Sequence, residues 1–195
     1  MGFSSSAFAA FIASTAAVRF GDFTLKSGKK SDVFFDIGKL CAGHELAQLG
    51  DFYADFLVAN SLETADAIFG PAYKGIPIVV ATSISLFRKY GFRIPIIFNR
   101  KRPKEHAEGG SFVGFDPDSA RSVVVLDDVI TDGGAKYEAI AMLRQFAQIR
   151  IRAFVVAVDR EELDECGVPY AEKFRAKTGL PVFALTTKTE VLRCR

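Results

Sequence analysis

The stretch VVVLDDVITDGGA, residues 123–135, decides the fold. Four apolar residues lead into two adjacent acids, then into a short segment with one hydroxyl and two glycines. A short apolar run of this kind reads as a strand buried on both faces, the habit of parallel sheets. The glycines let backbone N–H groups turn towards an anion, and a helix starting there adds its partial positive charge. Thr131 adds a hydroxyl donor. Asp127 and Asp128 disfavour a bare phosphate and need hydroxyls or a metal ion as partners. A ligand with a phosphate at one end and a diol nearby, a ribose phosphate, satisfies both halves. The patterns GxxxxGK[ST] and GxGxxG are absent. Taken alone, the stretch also admits an ordinary strand–turn–helix with a capping aspartate.

Outward from this stretch the chain alternates apolar strands with amphipathic helices. Residues 67–69 run into Gly70-Pro71, and a helix follows with Ile76, Val79, Val80 and Ile84 on its apolar face. Residues 94–98, 122–126, 151–158 and 182–185 read as further strands, and Ile140, Leu143 and Phe146 mark a helix after the second of these. The rhythm predicts an α/β fold: a mostly parallel twisted sheet flanked by helices. The N-terminal part breaks the rhythm. Residues 7–18 form a predicted helix with Phe8, Phe11, Ile12 and Ala16 on one face, capped by one of Ser4, Ser5 and Ser6. A hairpin over 23–25 and 32–36 follows, and Leu46, Leu49, Phe52, Phe56 and Leu57 mark another helix. The expectation is a single domain over residues 1–195, with about 1–40 and the C-terminus forming a small hood.

Composition bounds the function. A chain of 195 residues buries roughly 70% of its unfolded surface and needs no staple. The net charge of +2 argues against a dedicated nucleic-acid binder. Cys41, Cys166 and Cys194 are widely spaced and form no CxxC, which reads as free thiols in a reducing cytoplasm. No apolar run reaches membrane-spanning length, and the N-terminal run lacks the basic start of a leader.

Three more segments carry chemistry. RKRPKEHAEGG, residues 100–110, puts four cations and one anion between Arg100 and His106, a net +3 with the histidine neutral. Pro103 and the glycines disfavour a helix, so residues 100–111 read as a polar loop. Alone it is a solvated turn; beside a phosphate site it is a basic loop able to close over pyrophosphate and exclude water. FGPAYKG, residues 69–75, opens a strand end into a turn with Lys74 at a helix start: a second anion site, or a Gly-Pro turn with an exposed lysine. Arg160 follows an apolar strand, and a guanidinium forks onto a carboxylate; alone it is equally a surface arginine.

The stretch 123–135 resembles the phosphoribosyl-pyrophosphate signature of the type I phosphoribosyltransferase family. Together with FTLKSGKKS, FF, FGPAYKGIP and FNRK followed by K, H and EGG, it resembles the orotate-using branch of that family, over residues 20–160 and in one order. The resemblance fades after Glu161. It implies the type I phosphoribosyltransferase fold with an N-terminal hood, phosphoribosyl transfer from phosphoribosyl pyrophosphate to orotate in pyrimidine synthesis, Mg²⁺ held mainly by substrate and water, and a cytoplasmic homodimer with a shared active-site loop. For the donor it implies Lys26, Tyr73, Lys74, Arg100, Lys101, Lys104, His106, Asp127, Asp128, Val129, Ile130, Thr131, Asp132, Gly133, Gly134 and Ala135. Lys101, Lys104 and His106 are the implied catalytic residues; Phe34, Phe35, Thr131 and Arg160 are implied to meet orotate. A non-proline cis peptide is implied in the turn at 69–75. Asp132 departs from the pattern, which has a small neutral residue there in many members. A donor-binding regulator and a purine-using enzyme are the competing readings. The basic loop argues against the first, the FF pair and Arg160 against the second.

Overall fold

The computed structural model describes residues 2–24, 28, 30–104, 110–131 and 134–195, the side chains of 102–104, 110 and 135 apart. The chain runs α1 (Ser5–Ala13), β1 (Val18–Thr24), β2 (Lys30–Phe35), α2 (Gly43–Ala59), β3 (Ala67–Gly70), α3 (Gly75–Tyr90), β4 (Ile96–Lys104) and β5 (Gly110–Gly114). It continues with β6 (Ser122–Ile130), α4 (Gly134–Leu143), β7 (Arg150–Asp159), α5 (Tyr170–Thr178), β8 (Val182–Thr187) and α6 (Lys188–Leu192).

Six strands form one sheet in the order β5-β4-β3-β6-β7-β8, parallel except for the antiparallel edge strand β5. Side chains alternate across a strand, so each strand feeds two cores. Ile68, Val124, Leu126, Val155 and Leu185 face one side and pack with Phe8, Ile12, Tyr53, Leu57, Ile78 and Leu86 of α1, α2 and α3. Phe69, Val123, Val125, Phe154, Val156 and Val182 face the other and pack with Ile140 and Leu143 of α4 and Phe174 of α5. The result is three layers, with both faces of the parallel strands covered as their unbroken hydrophobicity requires.

β1 and β2 form a separate antiparallel hairpin. Lys188 at the start of α6 pairs with Asp32 of β2 at 2.9 Å, which ties the hairpin beside the C-terminal ends of β7 and β8. α1 starts earlier than the sequence reading and ends at Ala13, and Ser4 caps it by accepting from the Ala7 N–H. Two strands run longer than their apolar cores. β6 continues through both acids to Ile130, because it stays paired with β7 to the register Ile130–Asp159. β4 continues to Lys104, paired with Gly110 across a bulge. The predicted polar loop at 100–111 is therefore in part a twisted hairpin limb.

Candidate active site

The chain adds β4 on one side of β3 and then crosses to add β6 on the other, so β3 and β6 flank a topological switch point. Ligand crevices form outside the carboxyl ends of strands at such points. The segments that follow β3, β4, β6 and β7 leave the sheet at this end, while the FF pair belongs to the separate β1–β2 hairpin.

The turn after β3 is built on close approach. A Cβ on Gly70 would lie 2.4 Å from the Gly75 carbonyl oxygen, and one on Gly75 would lie 2.8 Å from the Gly70 carbonyl carbon. Any larger residue at either position opens the turn. The peptide between Ala72 and Tyr73 is cis, in line with the resemblance. Asn99 of β4 accepts from the Ala72 N–H at 2.8 Å and fixes the turn to the neighbouring strand. Tyr73 is 65% exposed, and the Lys101 ammonium lies 4.8 Å from its ring centroid. Arg100 follows Asn99 with its Nε buried and without a hydrogen-bond partner among the described residues. Lys74 points back into the crevice, 3.0 Å from Asp128 and 3.2 Å from Asp36. Burial alone would pull the Lys74 ammonium down; the facing Asp128 and Asp36 outweigh it and hold it above its ordinary value.

The two acids of β6 have different surroundings. Asp127 is buried, receives the Asp128 N–H on Oδ1 at 2.9 Å, and meets Lys136 Nζ on Oδ2 at 2.5 Å. Burial pushes its carboxyl above the usual range against the pull of Lys136, and Asp128 adds to the push. The fully buried Tyr53 hydroxyl donates to the Asp127 carbonyl at 2.7 Å. Burial, with the two acids beside it, pushes the Tyr53 phenol well up and keeps it a donor. Asp128 accepts from the Val129 N–H at 2.8 Å and keeps Oδ2 on Lys74. Val129 and Ile130 turn their side chains into the cores, leaving only backbone to face a ligand. Thr131 and Gly134 flank the start of α4. Lys26, His106, Asp132 and Gly133 lie outside the described residues, as do the side chains of Lys104 and Ala135.

Thr131 and Arg160 each follow by one residue the paired strand ends Ile130 and Asp159. Arg160 and Phe35 line one pocket of about 240 Å³. Phe34 takes the other face of β2, as the strand period dictates, and lies against Phe23 with Arg19 over its ring at 5.0 Å. The FF pair is thus divided, one ring to each face. Sequence reading also missed Lys136 and Asn99. A buried acid in an apolar strand demands a cation, and that demand was the available signal for Lys136.

No family model matches the chain. An orotate phosphoribosyltransferase from Methylococcus capsulatus is 43% identical over 175 residues, covering 90% of this chain and 80% of the relative. One from Nitrosococcus oceani is 40% identical over 186 residues, covering 95% and 83%. The solved orotate phosphoribosyltransferase of Francisella tularensis superposes with a TM-score of 0.79 at 34% identity, covering 96% of this chain and 95% of that one.

Proposed function

This chain belongs to the orotate phosphoribosyltransferase family, and from that premise we propose how its own residues divide the work. The reaction joins orotate to C1 of phosphoribosyl pyrophosphate, releasing pyrophosphate and forming orotidine 5'-monophosphate, a step of pyrimidine synthesis. Breaking the C1–O bond leaves positive charge on the ribose, as in glycoside chemistry, and gathers negative charge on the leaving pyrophosphate. Catalysis then rests on cations fixed where that charge develops.

In our assignment Asp127 and Asp128 face the ribose hydroxyls, while the backbone and hydroxyl of residues 129–135 hold the 5-phosphate at the α4 N-terminus. Tyr73, Lys74, Arg100 and Lys101 receive pyrophosphate, and Lys26, Lys104 and His106 join them, with Lys104 or His106 supplying a proton to the leaving group. Phe35, Thr131 and Arg160 hold orotate, while Phe34, on the opposite face of β2, packs the hairpin against Phe23. The observation that carries the orotate assignment is Arg160 sharing a pocket with Phe35, one residue past the strand end that pairs with the residue before Thr131. That combination offers an apolar wall and a carboxylate fork at one side of a sugar-phosphate crevice.

The donor set near the crevice fits a metal that arrives with its substrate. Asp127 and Asp128 already answer Lys136 and Lys74, so neither carboxylate is free to anchor an ion by itself. Mg²⁺ would suit such a site, held mainly by substrate and water with Asp127 and Asp128 facing it, and it would neutralise charge on the leaving group.

Two copies pair in our reading, with part of the basic loop supplied by the neighbour. The support is an apolar stripe along α3, where Val80, Ile84 and Phe87 are exposed at helical spacing. No helix among the described residues is long and apolar enough to cross a membrane. Three exposed free cysteines fit a reducing compartment, and we place the enzyme in the cytoplasm. The test is incubation with orotate, donor and Mg²⁺ while following the loss of orotate absorbance. Turnover is expected; turnover with a purine base but not with orotate would overturn the substrate assignment.

A further inference from the structure

We propose that Glu162 is an internal stand-in for the substrate carboxylate, occupying Arg160 until orotate displaces it, and so sets both the KM for orotate and the demand for a carboxylate. The proposal rests on the orotate reading of the Arg160 pocket.

The geometry that carries it begins with the turn after β7. Glu161 adopts a left-handed conformation, φ 53°, uncommon for a residue with a side chain. This reverses the chain so that Arg160 and Glu162 come back onto the same pocket. The turn is tethered from several directions. The Glu161 N–H donates to Asp159 Oδ1 at 2.8 Å, and Glu161 Oε2 accepts from the Thr189 N–H at 2.7 Å. The Glu162 carbonyl accepts from the Tyr170 N–H at 3.0 Å. Glu162 is held in place by its backbone rather than by its carboxylate.

Arg160 Nη2 lies 2.6 Å from Glu162 Oε1, with both side chains largely withdrawn from solvent, at 16% and 17% exposure. Yet that same Oε1 is buried and accepts no hydrogen bond of acceptable geometry from any described residue. The pair is close but badly aimed. A free planar carboxylate approaching along the guanidinium fork makes two parallel hydrogen bonds, which an oxygen tethered to the adjacent turn does not. Of the other cations lining the pocket, Lys188 is paired with Asp32, and exposed Lys30 donates to the neutral Thr24 hydroxyl. Glu162 therefore neutralises the charge that a carboxylate ligand would take over. A ligand lacking a carboxylate would have to leave Arg160 with Glu162 or strand a half-buried charge.

Displacing a competing internal partner reduces apparent affinity by the fraction of molecules in which the fork is free. For Glu162→Gln the expected result is a KM for orotate lowered about fivefold, with kcat and the KM for the donor within about twofold of the parent. Inhibition by orotidine 5'-monophosphate, which keeps the carboxylate, should tighten by the same factor. Binding of uracil, which lacks it, should not improve. Glu162→Asp retains the charge and should stay near the parent. An unchanged or raised KM for orotate in Glu162→Gln overturns the proposal, as does equal tightening for uracil, or an Asp variant that behaves like the Gln one. Calorimetric titration of orotate into the parent and Glu162→Gln reads the same contrast without turnover. An inactive parent thus counts against the assigned reaction, and equal orotate affinities count against the stand-in.

Discussion

Replacing Lys136 by methionine keeps most of its volume and removes its charge from beside Asp127. Both side chains are buried, and stripping one partner from a buried pair costs about 3–5 kcal/mol. Lys136→Met should lower the urea midpoint accordingly. The deficit should shrink as the pH is lowered, because the folded state then keeps a proton on the buried Asp127 that the unfolded chain releases more readily. Lys136→Met with Asp127→Asn should recover much of the loss. A single variant as stable as the parent at neutral pH would mean the pair contributes nothing. Arg160 and Lys136 illustrate what a sequence exposes at this scale. Arg160 stands straight after an apolar strand, a position that suits a ligand contact or a surface arginine equally until the family resemblance is added. Lys136 looks like any helix lysine until its partner nine residues earlier is known to be buried.

At the scale of elements, the turn that carries Arg160 and Glu162 is closed by Asp164. Its carboxylate pairs with Lys173 of α5 at 2.7 Å and accepts from the N–H groups of Val168 and Cys166. Lys173 and these N–H groups hold the Asp164 carboxyl at about 2, below its ordinary 3.8. A depressed carboxyl stabilises the fold above its unfolded value, and the contribution is lost as pH falls from about 4 towards 2. Thermal melts across that window should therefore drop more steeply for the parent than for Asp164→Asn, and parallel slopes would remove Asp164 from the acid response. The elements that the sequence made legible are those with undiluted signals. β3, β6 and β7 are apolar runs, and α2 and α3 carry clear helical spacing. α5 escaped because YAEKFRAKT buries only Ala171 and Phe174. β5 escaped because GSFVG is short and ends in glycine at both sides. The extension of β6 through two acids was invisible for another reason: it is dictated by pairing with β7, a partner some thirty residues away, not by its own composition.

At the scale of the whole molecule, the α3 stripe makes the oligomeric state testable. Ile84 and Phe87 are 59% and 56% exposed. Ile84→Asp should convert a sedimenting dimer to a monomer while leaving the fold intact by circular dichroism. If the basic loop works across the pair, kcat/KM should fall at least about tenfold in the same variant. A variant that remains dimeric would move the interface elsewhere.

The strand order has one more consequence, in the order of synthesis. β3 can dock on β4 as soon as residue 104 has emerged, but its other flank stays bare until residues 122–130 follow. A bare flank on a nascent sheet invites the wrong neighbour. β3 is only four residues long, the shortest strand of the sheet, so a stray chain finds little to grip during that interval. The brevity of the strand that leads into the Gly70–Gly75 turn thus leaves little bare edge for a wrong neighbour during synthesis.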